Sequence, residues 1–284
     1  MLDSLYIAAT GMHAQQLNVD TISNNLANVN TTGYKRARVS FEDTLYRELA
    51  RGAPLLGAAA GSRFGAGVAV ADTAKMFSDG DLKKTDAPLD VAIRGAGFFE
   101  VLMPDGTRAY TRSGTLRVNQ DGVLATSEGH VILPTMQVPT DATEIAIDPL
   151  GNVTARVPGE TRPVEVGRFD VARFVNPAGL SAVGGNLYVA TQKSGDALLG
   201  KPGDEGYGTL AQGFLESSNV KLVEEMIGLV LAQRAFEVNA RAVQASDELL
   251  SLVNNLRRRS NQLKESSGTP PSSGSAVFAR TLRR

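Results

Sequence analysis

Near each end of the chain, apolar residues recur at alternating steps of three and four. At the start, Leu2, Leu5, Ala9, Met12, Val19 and Leu26 keep this spacing, with Gln16 and Ser23 at the skipped steps. Towards the end, Leu222, Met226, Leu229, Phe236, Ala240, Val243 and Leu250 do the same, with Gln233 and Asp247 in the gaps. A stripe this narrow cannot be buried by its own helix and demands a partner helix. The pattern predicts two seamed helices, within 1–33 and 219–263, that come together as a coiled-coil-like core and pack against other copies. Asn28 to Gly33 should stop the first, because Asn and Thr compete for backbone bonds and Gly33 supplies positive φ. Asn219 is the expected N-cap of the second, with Glu224 and Glu225 near its positive end.

Between the helices the periodicity changes twice. Residues 34–80 lead from the basic Lys35, Arg36 and Arg38 through Phe41 to Leu49 into an Ala- and Gly-rich run. That segment is too poor in large apolar residues to form a core. It reads as an extended arm or hairpin that needs neighbours to become ordered. From 81 to 218 short β-runs are punctuated by turns: Pro104-Asp105-Gly106, Asn119-Gln120-Asp121-Gly122 and Pro149-Leu150-Gly151-Asn152. Such spacing predicts an all-β outer domain, and no strand alternates with a long helical pattern as a parallel sheet requires. The fold class is therefore α+β. Residues 264–284 are Ser-, Gly- and Pro-rich and are expected to be a disordered tail closing on Arg280, Arg283 and Arg284.

Composition narrows the functions. A net charge of −1 gives no field that draws nucleic acid or acidic lipid. Aromatic residues make up 6% with no Trp, which disfavours platforms for stacking bases or sugars. With no Cys, disulfides, thiol chemistry and Cys-based metal sites are excluded. The N-terminus lacks a basic leader and an unbroken apolar run, so it does not read as a cleaved secretory signal. No stretch is apolar for long enough to span a bilayer.

Candidate chemistry is sparse. His13 and His130 have no ligand spacing. Gly95-Ala96-Gly97 precedes a strand instead of a helix, so it reads as a turn and not a dinucleotide loop. No carboxylate pair, nucleophile elbow or zinc motif stands out. The expectation is a non-enzyme with no cofactor, no metal and no small-molecule substrate. The amide cluster Asn24, Asn25, Asn28 and Asn30 is either a fraying helix end or a site where Asn24 and Asn28, one turn apart, form interhelical amide bonds that fix register, as Gln16 and Gln233 would on their seams.

Several of these stretches resemble one known family along almost the whole chain. Ile22 to Arg36, ISNNLANVNTTGYKR, is similar to the N-terminal signature of bacterial flagellar rod and hook proteins. DVAIRGAGFFEV from Asp90, GFLESSNV from Gly213 and the helix bearing EEMIGLVLAQRAFEVNARAV are similar to their β-domain opening and C-terminal signature. Within that family the chain is most like the distal rod members. The opening Leu5 to Gln16, the segment FEDTLY from Phe41 and Tyr110-Thr111-Arg112-Ser113-Gly114 carry this closer likeness.

The resemblance implies a structural subunit that polymerises into a helical tube transmitting torque from motor to hook. Its expected partners are further copies of itself, proximal rod and hook subunits, the peptidoglycan- and outer-membrane-ring proteins, and the flagellar type III export apparatus. It implies a place in the basal body, spanning the periplasm after export without a cleaved signal. The rivals are a proximal rod or hook subunit, or a secreted β-domain binding module oligomerised by its helices. The subunit-interface residues expected are Leu5, Met12, Gln16, Asn24, Asn25, Leu26 and Asn28 on the first helix. Leu229, Gln233, Phe236, Asn239 and Val243 are expected on the second, with Phe41 and Leu45 anchoring the arm on a neighbour. The family usually stops soon after the second helix, so the residues after Lys264 depart from its pattern.

Overall fold

The computed structural model describes residues 2–44, 65, 67–160 and 162–266. Helix α1 spans Leu2–Ala27 and helix α2 spans Leu222–Ser266, with a mostly-β region between them. They lie antiparallel: Gly11 faces Asn239, Ile22 faces Gly228, and the Asn25 amide reaches the Glu225 carboxylate at 3.2 Å. Small side chains allow the close approach. Ala8, Ala14 and Ala232 are buried, and a Cβ on Gly11 would meet the Asn239 amide at 2.9 Å. On this register Leu2 is level with about Glu248, so Leu249–Ser266 extend past the end of α1 by roughly 27 Å at 1.5 Å per residue.

The first helix ends where its sequence indicates. Its last carbonyls are met by the Asn28 backbone N–H, at 3.2 Å from Asn24 O and 3.1 Å from Asn25 O. The chain then turns through Gly33 at φ +70°. A Cβ there would lie 2.7 Å from Ser113 N and 2.8 Å from Arg112 C, both backbone atoms that cannot step aside. Gly33→Ala is therefore expected to cost about 2–3 kcal/mol, from strain at positive φ plus the clash. Urea unfolding of the purified chain checks it.

The start of α2 differs from expectation. The helix begins at Leu222 and Asn219 does not cap it. Its side chain is occupied elsewhere, accepting from Arg36 N at 2.7 Å and donating to Met76 O at 2.7 Å. A long-range strap has won over a local cap.

Strands β1 (Ala37–Asp43) and β2 (Val68–Lys75) form an antiparallel ribbon, from Ala37 opposite Lys75 to Asp43 opposite Val68. The ribbon lies on α1: Val39 is buried, and Thr10 Oγ1 accepts from Val68 N at 3.3 Å. Tyr34, Lys35 and residues 76–80, assigned to the arm from sequence, belong to the joint beneath it.

Strands β3 (Leu82–Lys84) and β4 (Val91–Arg94) carry the chain outward, β5 (Phe98–Leu102) and β6 (Arg108–Thr111) follow, and two later strands bring it back. Phe214–Glu216 pairs with β3, and Thr209–Gln212 pairs with β4. The Pro104, Asn119 and Pro149 turns close hairpins, Pro104-Asp105-Gly106 joining β5 to β6, whereas Gly95-Ala96-Gly97 joins two strands that do not pair, β4 and β5. Because strand side chains alternate, β5 feeds two clusters. Phe99 and Val101 enter the main core with Val91, Leu124, Val153 and Phe169. Phe98 joins Tyr110, Phe174 and Tyr188 on the other face. Phe77, from the connector after β2, meets the Phe98 and Tyr188 rings edge-on at 5.2 and 5.0 Å. Each such pair contributes about 0.5–1.5 kcal/mol beyond its burial, which fastens the connector to the β domain.

Candidate functional site: the interdomain joint and the helical flank

The two legs of the chain meet between helices and β domain around buried charge. The leg leaving α1 brings Tyr34, Lys35 and Arg36; the returning leg brings Glu216, Asn219 and Glu225. Lys35 is fully buried and donates to Glu216 Oε1 at 2.6 Å and to Ser78 O at 2.7 Å. Gly80 N donates a second bond to the same carboxylate oxygen at 2.8 Å. The other oxygen, Oε2, faces Arg112 Nε at 3.6 Å, an ion pair too long for a hydrogen bond. Arg112 Nη2 pairs with Asp79 at 2.8 Å. Burial pushes the Lys35 ammonium down from the usual lysine range, and the Glu216 carboxylate opposes that shift.

A second group adjoins the first. Asn25, 1% exposed, uses its amide fully within the chain: Nδ2 donates to Ala37 O and Oδ1 accepts from Ala37 N, both at 2.9 Å. This is one rung of a ladder made by a side chain, and it starts β1. The Tyr34 hydroxyl donates to Asn24 Oδ1 at 2.8 Å, and burial, aided by Glu225, raises its pKa. Arg36 pairs with buried Glu225 at 2.7 Å. Asn28 folds back on Asn24 O at 2.9 Å and accepts from Thr31. The asparagine cluster thus builds the helix exit and the joint of its own subunit.

The seam residues lie elsewhere. Counting about 100° per residue, the stripe joining α1 to α2 runs through Ala8, Gly11, Ile22 and Asn25, and the seam of Leu5, Met12, Gln16 and Leu26 is roughly a quarter-turn away. On α2 the contact stripe is Glu225, Gly228, Ala232 and Asn239. Leu229, Gln233, Phe236 and Val243 lie roughly a sixth of a turn from it, towards the same side of the pair. The ribbon occupies the opposite side. Leu5, Met12, Leu26, Leu229 and Val243 are half-buried, Gln16 and Gln233 are exposed, and Phe236 is 38% exposed. Gln16 and Gln233 fall within about one residue of the same level, so a polar step divides one apolar flank. Asn239 is half-buried against Gly11, inside the pair. Phe41 is exposed on the ribbon, and Leu45 lies outside the described residues.

α2 carries more apolar surface than this flank. Leu222, Val223, Met226, Ile227 and Val230 are all about half exposed or more. Its first turns are therefore apolar on nearly every side, with only one side covered, which marks a helix built to be enclosed. Among the described residues no group of three or more His, Asp or Glu is placed to hold a metal ion, and no helix is long and apolar enough to cross a membrane.

Sequence reasoning missed the Lys35–Glu216–Arg112 cluster. Its members are far apart in the chain, and no local period links them. The available signal was charge inside two signature stretches, YKR and FLESSNV, that are otherwise small, polar or apolar.

An arrangement of paired terminal helices, a ribbon and an outer β domain agrees with three family models. Residues 5–35 match the flagella basal body rod protein model, 92–155 the flagellar hook protein FlgE/F/G D1 domain, and 211–256 the flagellar basal body rod FlgEFG protein C-terminal model. Together they define the class as flagellar rod and hook proteins. At 44% identity over 265 residues, the chain is similar to the flagellar basal-body rod protein FlgG of Borreliella burgdorferi, covering 91% of this chain and all of that one. It is 40% identical to the same-named protein of Caulobacter vibrioides and 37% to that of Bacillus subtilis, over 90% and 91% of this chain and 100% of each relative. The chain belongs to the flagellar basal-body rod protein FlgG family.

Proposed function

We propose that this chain is a structural subunit of the flagellar distal rod, one that self-assembles into a helical tube and carries torque from motor to hook. The observation that carries the reading is the uncovered apolar surface of α2, next to a flank where both helices present a seven-residue repeat with one polar level. Such a flank accepts further helices in one register. Leu5, Met12, Leu26, Leu229, Phe236 and Val243 supply its apolar contact, and Gln16 and Gln233 fix the level. In the assembled tube the helices pair as a coiled-coil-like inner wall, the ribbon is the base of an arm reaching a neighbour, and the β domain faces outward. Repeated heterologous contacts of this kind produce an open filament, because the rotation between copies does not close.

Membership of the family supports proximal rod and hook subunits as axial neighbours. Peptidoglycan- and outer-membrane-ring proteins would surround the outer face, and the flagellar type III apparatus would export the chain across the inner membrane without a cleaved signal, leaving the rod to span the periplasm. The chemistry is mechanical, with no catalytic group assigned.

Electron microscopy of basal bodies purified from cells lacking this gene tests the reading. Loss of the outer rod segment and everything beyond it is the expected result. Complete basal bodies would remove the assignment and favour a binding module oligomerised by its helices.

A further inference from the structure

The ribbon has two chemically different ends. At its far end Phe41, Glu42 and Asp43 are all exposed, and neither carboxylate has an ion-pair partner among the described residues. At its near end, where the ribbon meets the β domain, two depressions of about 390 and 400 Å³ adjoin through Phe77 and Pro177. Met76, Phe77, Phe98 and Phe174 give this trough an apolar lining, and Val175 stands 82% exposed beside it. Arg38 and Arg173 line its two halves, and neither is paired with a carboxylate among the described residues. The one acid lining it, Asp79, is already neutralised by Arg112 at 2.8 Å.

We propose that this trough receives the Phe41–Asp43 end of a second copy's ribbon. The Phe41 ring rests on the apolar floor, while Asp43 meets Arg173 and Glu42 meets Arg38. Charge complementarity selects this occupant, since an aromatic residue followed by two acids without ion-pair partners among the described residues matches an apolar trough lined by Arg38, Lys75 and Arg173. A copy's own ribbon end cannot reach Arg173. From Ala37 to Asp43 the strand runs about 20 Å away from the trough, and the Thr10–Val68 hydrogen bond holds that end against α1. Donor and acceptor at opposite ends of one ribbon make a head-to-tail contact, which propagates without closing. The inference rests on the self-assembly reading above and supplies it with a specific donor and acceptor.

The absence of Cys allows a direct test. Basal bodies are purified from cells whose only copy carries Asp43→Cys and Val175→Cys, then oxidised and run without reducing agent. A ladder of disulfide-linked multimers, absent from each single variant, is the expected result. Separately, Arg173→Glu should lower incorporation into basal bodies about tenfold, and adding Asp43→Arg in the same chain should restore it by re-creating the opposite charges. If the double-Cys chain is not incorporated, the charge-reversal pair decides: restoration sustains the contact, and no restoration overturns it. An incorporated chain that forms no ladder overturns the docking and leaves the assembly reading intact. A cross-link from position 175 to a different protein overturns the choice of occupant. Absence of the unaltered chain from basal bodies removes the assembly reading itself, and the docking with it.

Discussion

A chain carrying Phe236→Asp is expected to enter no rod, although its β domain remains folded. Phe236 sits at the surface of the isolated subunit, so the substitution exposes a carboxylate to water at little cost there. In the proposed assembly a neighbouring helix encloses the same position. Burying an unpaired carboxylate costs several kcal/mol, and the cost recurs at every subunit added. A filament whose growth depends on one contact repeated many times cannot absorb that. The expected outcome is basal bodies ending before the distal segment, together with an unchanged thermal transition of the purified chain's β domain. Normal rods built from this variant would place the seam off the interface.

The second large effect is internal. Glu216→Gln leaves Lys35 and Arg112 buried with no carboxylate between them. Breaking one side of a buried ion cluster costs about 3–5 kcal/mol, because the remaining charge keeps its desolvation penalty and loses its compensation. Denaturant unfolding at neutral pH measures it. Adding Lys35→Met should recover part of the loss, since the stranded cation is then gone. The pH dependence has a definite sign. Without Glu216 only the weaker attraction of Asp79 opposes the downward pull of burial and of Arg112 on the Lys35 pKa, so the unfolded chain holds that proton more tightly than the folded one. The penalty is complete below the folded pKa and shrinks as pH rises from there towards the ordinary lysine value of 10.5. A loss that stays constant from neutral to alkaline pH would show that Lys35 is not the stranded group.

The parts of this fold that were legible in the sequence are those governed by local period and turn chemistry. The three-four spacing gave both helices, and glycines with neighbouring Pro, Asn or Asp gave the hairpins. Asn28 to Gly33 gave the end of α1. Two meanings escaped. The strict seam marks a stripe that needs a partner, yet the two helices meet through Gly11, Ile22, Gly228 and Ala232. Small residues carry little weight in an apolar pattern, although they allow the closest backbone approach. Local spacing assigns Asn219 to an N-cap and places Asn25 in an amide cluster at the end of a helix. Their side chains bind backbone from distant segments, and no spacing within the chain records where that backbone will be. The same holds for Lys35 and Glu216, which only the return of the chain brings together.

The pairing of outgoing and returning strands also has a mechanical meaning. A domain tethered by one strand of polypeptide can swivel about its single bonds, and rotation applied to its base is lost as twist in the tether. Here β3 and the Phe214–Glu216 strand leave the helices side by side, hydrogen-bonded to each other and clasped at their root by the charge cluster. Turning the base obliges both to turn together. Because both legs run to the same end, a pull on the β domain loads two covalent chains in parallel and does not unzip the ladder between them. The neck of the molecule is therefore a torsion bar, stiff in the direction in which a rotating shaft is loaded.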